Sequence, residues 1–462
     1  MEDLAALLGG LVPAGRLLMG DAVADDYGHD ESLTVESVLP AAVVIPASSP
    51  EVAAVLRVAD EHRIPVTARG SGTGLSGACR PTAGSIVVSF EGMRDILDID
   101  TENHVAVVQP GVTLQDLDLQ LAAHDLVYPV FPGEYSASLG GNVATNAGGM
   151  RAVKYGVTRH QVLGLEAVLP GGDVIRTGGK YVKATTGYDL TQLIVGSEGT
   201  LALVTEVTLK LYPRPPHQAT VLAPFATLDQ ITAAIPRIVD SGIGPLILEY
   251  IDMMTMAASS TFAGFDLGVP QDVKDTALAY LVVMMENSHQ QRLEEDVEAL
   301  SKLLFGLGAI DAYVLPPQSA GQLIDAREKA FWMAKANGAH DIVDVVVPRA
   351  QIPEFMKRVS ELATQSGSFV AGCGHAGDGN VHLGVFQADP ATRARLLHDL
   401  FETGRELGGA ISAEHGIGRA KRDHFLALED PVKIALMQRI KAAFDPHGIL
   451  NPGVLFATEA QT

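Results

Sequence analysis

At 462 residues the chain exceeds what one hydrophobic core can serve, so two or more domains are expected. Its composition, 47% hydrophobic with 47 Gly and 25 Pro, excludes disorder and collagen-like order and fits a folded chain rich in tight turns. With 33 basic against 55 acidic residues the net charge is -22, and no Lys/Arg cluster interrupts it, which argues against a nucleic-acid partner through long-range repulsion of phosphate.

The opening stretch from Met1 to Asp21 carries two acids, Glu2 and Asp3, ahead of its apolar part, and Gly-Gly and Pro within it, so it lacks the basic start of a signal peptide. The longest apolar runs, such as Ala279 to Met285, fall far short of the ~20 residues of a spanning helix. The two cysteines, Cys79 and Cys373, are too few for a disulfide scaffold and are expected as small buried residues in a reducing compartment. A cytoplasmic location without a membrane span is expected.

Residues 1–35 read as a short helix and an irregular segment, followed by a buried strand over Ala41 to Ser48. A helix then starts with Ser49 as N-cap, Pro50 at its first position and Glu51 near its positive end, with Val52, Val55, Leu56 and Ala59 on its apolar face. The strand Pro65 to Arg69 completes a strand–helix–strand unit. Short β-rich pieces follow from Ser85, with a helix over Leu114 to His124 behind the cap Thr113, and strands return around Val162 to Arg176 and Leu201 to Tyr212. The Pro-rich run Tyr212 to Gln218 places a domain boundary near 214.

Beyond it, helices over Leu228 to Ser241, Gln290 to Leu307, Ile352 to Gly367 and Pro390 to Gly408 alternate with strands over Leu246 to Tyr250, Ala279 to Met285, Ile342 to Val347, Ser368 to Cys373 and Val381 to Phe386. That alternation predicts an α+β domain whose sheet is covered on one face. A last helix, Asp430 to Phe444, runs into DPHGILNPG. The expected units are residues 1–214, 215–425 and a C-terminal helix and tail, 426–462, returning to the first.

In ARGSGTGLSGA (Ala68 to Ala78), Gly72, Gly74 and Gly77 match the dinucleotide spacing G-x-G-x-x-G. A Rossmann site needs a helix to begin in this loop, and Pro81 and Gly84 rule one out. A phosphate site built from converging backbone N–H groups, with donors from Arg69, Ser71 and Thr73, competes here with an ordinary glycine-rich turn. Pro129 to Gly156, with six glycines and two asparagines and no helical or strand period, suits a backbone laid against a flat ligand. A third element, Ile194 to Leu209, puts Gly-Ser-Glu-Gly ahead of a strand.

Together these three segments resemble the FAD-binding domain of the vanillyl-alcohol oxidase superfamily, also called the p-cresol methylhydroxylase (PCMH) type. The resemblance covers residues 36–214 and continues through an FAD-linked oxidase C-terminal domain to about 455. It implies an α+β fold class, with a two-subdomain PCMH-type FAD-binding domain followed by an α+β substrate or cap domain. It further implies that Arg69, Gly70, Ser71, Gly72, Thr73, Gly74 and Gly77 hold the pyrophosphate. Pro132, Gly133, Ser138, Gly141, Asn142, Gly148, Gly149 and Gly156 would line the flavin and its linker, with Glu198, Gly199 and Val204. Covalent members often place a histidine where this chain has Thr73, so the resemblance implies non-covalent FAD.

In CGHAGDGNVHLGVF (Cys373 to Phe386), Asp-Gly signals a hairpin. Closing Gly377 to Asn380 as the turn pairs His375 with His382 and projects both imidazoles from one face. Neighbours about 5 Å apart at Cβ let two ring nitrogens reach one metal ion. SAEHGIG (Ser412 to Gly418) supplies Glu414 as third ligand, with His415 beside it. Two histidines and one carboxylate with open positions make a catalytic arrangement; each histidine alone would read as a satisfied core residue.

This pattern resembles the D-2-hydroxyacid dehydrogenase branch of the superfamily, which includes D-lactate dehydrogenase, the flavin subunit of glycolate oxidase and D-2-hydroxyglutarate dehydrogenase. The resemblance implies a divalent metal (Zn, Mn or Fe) on His375, His382 and Glu414, His415 as base, and Arg327 as the cation for the substrate carboxylate. For Arg327 the competing assignment is a solvated helix arginine. The implied reaction oxidises a small D-2-hydroxy acid, lactate- or glycolate-like, to the 2-oxo acid, with flavin N5 receiving the hydride. Where 2-hydroxyglutarate enzymes carry a Lys and an Asn, this chain has Ile342 and Gly384, which disfavours a dicarboxylate. D-2-hydroxyglutarate dehydrogenase stays as the alternative substrate assignment. A transferase of the alkyl-dihydroxyacetone-phosphate synthase kind and a non-catalytic electron relay are the alternatives of other classes. The implied partners are the acid and an electron acceptor, whether quinone, cytochrome or electron-transfer flavoprotein, and a homodimer stays open.

Overall fold

The apolar run after Pro40 forms the fully buried strand Ala42–Val44 in the computed structural model of the chain, which describes residues 4–457. Glu2 and Asp3, and residues 458–462 of the expected tail, lie outside the described residues. The helix that follows runs Ser49–Glu61, one residue earlier than its sequence suggested. Its N-cap is Ser48, whose backbone is extended (φ -156°, ψ 157°) and whose side chain makes no capping bond. Glu51 replaces that bond, accepting from Ala47 N at 2.7 Å while also pairing with Arg16. Val52, Leu56 and Ala59 point inward onto the strands Val66–Arg69 and Ile86–Ser89, which flank one another in parallel register with Ala42–Val44. With Leu17–Met19 on the outer edge these make a four-stranded sheet.

A second, fully antiparallel sheet orders Ile96–Asp100, Val105–Val108, Leu203–Lys210, Val162–Val168 and Val174–Gly178. The helix Leu114–Ala122 begins where expected, with Thr113 Oγ1 accepting from Asp116 N at 3.1 Å, and buries Leu117 and Leu121 in this sheet's core. Tyr212–Pro213 pairs with Leu126–Val127, and the next strand, His217–Phe225, already belongs to a third sheet.

That sheet has seven antiparallel strands in the order Tyr313–Leu315, His217–Phe225, Ala279–Asn287, Ile247–Asp252, Phe369–Gly374, Asn380–Phe386 and Asp341–Val346. Helices Leu228–Asp240, Gln290–Gly306, Ile352–Ser366 and Pro390–Glu406 bury one face, with Phe225, Leu281 and Phe355 in the shared core. The expectation of a sheet covered on one face is corrected by the helices Met253–Ala263 and Pro317–Glu328, which pack Met256 and Leu323 onto Leu222, Ile251 and Tyr280 of the opposite face. The strands were apolar at both parities (Val221, Leu222, Ala223), the mark of burial on two faces. Met253–Ala263 spreads its apolar residues around the helix and gave no amphipathic period.

The C-terminal segment goes back to the first sheet. After the helix Pro431–Phe444, Leu450 bridges Val66, with Val66 N donating to Ile449 O and Asn451 N to Val66 O. Among the described residues no helix is long and apolar enough to cross a membrane.

Candidate active site

The glycine loops come together around a cavity of about 180 Å³ bordered by Gly70, Ser71, Gly72, Thr73 and Gly74 on one side. Pro132, Ser138, Gly141 and Asn142 wall it on a second side, and Glu198, Gly199 and Val204 on a third. The first two loops lock through Ser71 N and Oγ, which donate to Ser138 Oγ and Ser136 O, and a Cβ on Gly70 would sit 2.1 Å from Ser138 Oγ. Asn142 is buried on this wall, and its Nδ2 has no hydrogen-bond partner among the described residues. A chamber walled by close-packed backbone with an unspent amide donor fits the phosphate and ribityl groups of a flavin dinucleotide.

Other expected flavin residues stand back from this cavity. Arg69 turns beneath the loop to donate to His29 O at 2.6 Å, and its guanidinium fills the space a Cβ on Gly72 would need. Gly77 packs on Val35, Gly156 abuts His160, and Gly149 (φ 119°) lets the backbone pass Phe131 O. Gly148 faces the second site, since a Cβ there would lie 2.7 Å from Glu414 Oε2. Gly133 borders a larger neighbouring cavity of about 520 Å³. Sequence reasoning missed Asn451, which lines the smaller cavity and donates through Nδ2 to Ala78 O (2.9 Å) and Glu198 O (2.8 Å), tying the tail to two loops. Burial pushes the Glu198 carboxyl up to about 7, against the N–H bonds it accepts from Ile417 and Gly418.

Glu414 and His415 border both cavities, as do Thr73 and Pro132. The two histidines of the hairpin lie here, but its register differs from the expected one. Cys373, not His375, pairs with His382, and residues 375–379 form a longer loop in which His375 O accepts from the N–H groups of Asp378, Gly379 and Asn380. The slip is two residues, and because strand side chains alternate with period two, both imidazoles still reach the same face. Their ring centroids are 4.7 Å apart.

His375 Nε2 and His382 Nε2 each lie 3.2 Å from Glu414 Oε1. Behind them stand two buried acids that the sequence reading overlooked. His375 Nδ1 is 2.7 Å from Glu249 Oε1, and His382 Nδ1 is 3.6 Å from Asp344 Oδ1. With Glu249 behind His375 and Asp344 near His382, both rings turn Nε2 toward Glu414, the orientation in which histidines that bind a metal are commonly held. Asp344, His382, Glu414 and His415 also offer ligand atoms within 4.8 Å of one another. Asp344 is the weaker ligand of the two sets, because Oδ2 already accepts from Ser412 Oγ and the N–H groups of Ala413, Glu414 and His415, and Oδ1 from Asn380. His375, His382 and Glu414 are therefore the set best able to hold a divalent cation. A lone acid inside an apolar strand, as in Leu246 to Ile251 and Ile342 to Val347, was the signal that could have found Glu249 and Asp344.

The field at the cluster is negative. Burial alone would lower the His375 pKa, but Glu249 and Glu414 outweigh it and lift it to about 10. His415 goes the other way: burial brings it down to about 4, with Asp344 opposing and Lys421 assisting, so its ring is neutral at pH 7. Its Nδ1 lies 3.8 Å from Asp344 Oδ2. Arg327 is buried, its Nη2 2.8 Å from Glu249 Oε2, while Nε and Nη2 have no well-aligned hydrogen bond among the described residues. It borders the larger cavity and is buried against Glu249, so the solvated-helix assignment is excluded.

Residues 40–178 match the family "FAD binding domain" and residues 214–455 the family "FAD linked oxidases, C-terminal domain". An uncharacterized FAD-linked oxidoreductase of Mycobacterium tuberculosis is 57% identical over 99% of both chains. A D-lactate dehydrogenase of Anaerostipes hadrus is 36% identical over 95% of this chain and 94% of its own length. The solved structure of p-cresol methylhydroxylase with substrate bound superposes with a TM-score of 0.80 over 97% of this chain and 95% of that one, at 18% identity, a likeness of fold. Matches to both families, joined in one chain whose glycine loops enclose a backbone-walled chamber, place this protein in the FAD-linked oxidase family, as an FAD-linked oxidoreductase.

Proposed function

We propose that the protein oxidises a D-2-hydroxy monocarboxylate to the 2-oxo acid. The observation that carries this reading is the convergence of His375, His382 and Glu414 beside His415, where the flavin-loop cavity meets the larger cavity holding Arg327. FAD bound non-covalently in the first cavity supplies a hydride acceptor at its N5. His375, His382 and Glu414 would hold a divalent cation, Zn, Mn or Fe, which would supply Lewis acidity toward the hydroxyl.

The chain's own residues do the rest. Arg327, which borders the larger cavity, would meet the substrate carboxylate with its guanidinium and so orient the alpha C–H toward the flavin. His415 is the neutral base: with Nδ1 toward Asp344, it takes the hydroxyl proton at Nε2, and the Asp344 carboxylate stabilises the imidazolium that forms. Removing that proton as hydride leaves avoids a full positive charge at the alpha carbon. The D configuration rests on the likeness to a D-lactate dehydrogenase. The reducing equivalents would pass on to an electron acceptor such as a quinone, a cytochrome or an electron-transfer flavoprotein.

Anaerobic mixing with paired D- and L-2-hydroxy acids, followed at the flavin band, tests this. The D acids bleach the band and the L acids do not; a flavin left oxidised by every acid removes the assignment.

A further inference from the structure

We infer that the preferred acid carries a long apolar substituent on its alpha carbon, as D-2-hydroxyoctanoate does, and is not lactate- or glycolate-sized. This rests on the function proposed above and specifies its substrate.

The larger cavity, about 520 Å³, touches the flavin loops at Thr73, Pro132 and Gly133 and extends from there past the histidine cluster to Ala371, Gly384, Phe369 and Phe386. Four of its polar groups, Arg327, His375, His382 and Glu414, join in one series of contacts, Arg327 and His375 through Glu249 and the two histidines through Glu414. From there an apolar lane leads away along the sheet. Cys373 pairs with His382, Ala371 with Gly384 and Phe369 with Phe386, all on one face, and each step of two residues advances about 7 Å. Phe369 is therefore roughly 13 Å from the level of the cluster. Met254 and Ala258 of the helix Met253–Ala263 and Trp332 of the helix Ala330–Ala336 line the same cavity.

The lane reaches solvent still apolar, with Phe369 at its outer end 49% exposed, and Met254 and Trp332 of the cavity lining 55% and 38% exposed. An exposed apolar rim continuous with an apolar lane is surface that a hydrophobic tail would cover. Charge points the same way. Among the described residues lining the cavity, Arg327 is the only Lys or Arg, whereas Glu134 and Glu328 add carboxylates. A second carboxylate on the substrate would find no second Lys or Arg in the lining, since Lys335, over the Trp332 ring at 5.2 Å, is paired with Glu31, and the pair Ile342 and Gly384 sets an apolar side chain and a bare backbone beside Ala371.

Each methylene buried along the lane is worth about fourfold in binding. The five extra carbons of D-2-hydroxyoctanoate over D-lactate set a ceiling near 10³-fold, and the open mouth lowers the expected advantage in kcat/KM to about 10²-fold. The experiment is anaerobic flavin reduction of the holoenzyme by D-lactate, D-2-hydroxyoctanoate and D-2-hydroxyglutarate. The octanoate is expected to lead, with the glutarate behind lactate. D-lactate equal to the octanoate within threefold, or ahead of it, overturns the inference while leaving the dehydrogenase assignment standing; no reduction by any of the three overturns both. Ala371→Asp places a charge in the lane and is expected to reduce the octanoate-to-lactate ratio at least tenfold. That ratio is internal to one preparation and independent of how much protein folds, so an unchanged ratio also overturns the inference.

Discussion

Asp344→Asn is the substitution from which the structure expects most for the fewest atoms changed. The carboxylate is fully buried; Oδ2 accepts from Ser412 Oγ at 2.9 Å and from the N–H groups of Ala413, Glu414 and His415 at 3.0, 3.1 and 2.9 Å, with Lys421 Nζ at 3.5 Å. Oδ1 accepts from Asn380 Nδ2 at 2.9 Å and faces His382 Nδ1. An amide fits neither way round. Its NH₂ meets either three backbone N–H groups or the Asn380 amide, and in both cases the buried Lys421 ammonium loses its counter-charge. Removing one partner of a buried pair costs about 3–5 kcal/mol. At roughly 2–4 °C per kcal/mol for a domain of this size, the second half of the protein should melt about 10 °C lower. The loop carrying Glu414 and His415 would also lose its anchor, and displacement of about 1 Å there costs on the order of 10²-fold in rate. Calorimetry and stopped-flow flavin reduction by a D-2-hydroxy acid read the two effects separately. A variant melting within about 2 °C of the parent and reducing its flavin as fast would refute the assignment of Asp344 as the anchor of this loop.

His415→Asn should keep FAD and cation but slow flavin reduction by about 10²-fold or more, with partial recovery as pH rises and the alkoxide forms unaided; stopped-flow traces across pH check both. Chelation, or His382→Ala, should abolish turnover while the flavin spectrum of the purified protein persists, because the histidine cluster and the flavin loops border separate cavities that adjoin only at their shared wall. Acid precipitation should release intact FAD into the supernatant, since Thr73 borders the flavin cavity where a linking histidine would stand; colour retained in the pellet would overturn that.

Local signals made much of the molecule legible in the sequence alone. Periodicity and end residues located the helices Leu114–Ala122, Leu228–Asp240 and Ile352–Ser366 to within a few residues, because capping by Thr113 and Thr227 and termination at Gly367 act over one helical turn. The three glycine segments and the pair His375, His382 with Glu414 and His415 were visible because each is a short contiguous string whose composition departs from any regular element. The register of the hairpin was not, since Asp-Gly specifies a turn while the loop of residues 375–379 is closed by His375 O and by pairing of Asp341–Val346 on the far side of Asn380–Phe386. Glu249 and Asp344 were hidden for the same reason: an acid in an apolar strand declares itself only when strands distant in sequence bring the histidines to it. Gly148, more than 260 positions from Glu414 by residue number, is held against it by tertiary packing alone. Sequence determined which chemical groups are present and on which local elements; the meeting of two separately wrapped cavities at Glu414 and His415 was decided by long-range strand pairing, whose partners no local pattern can name.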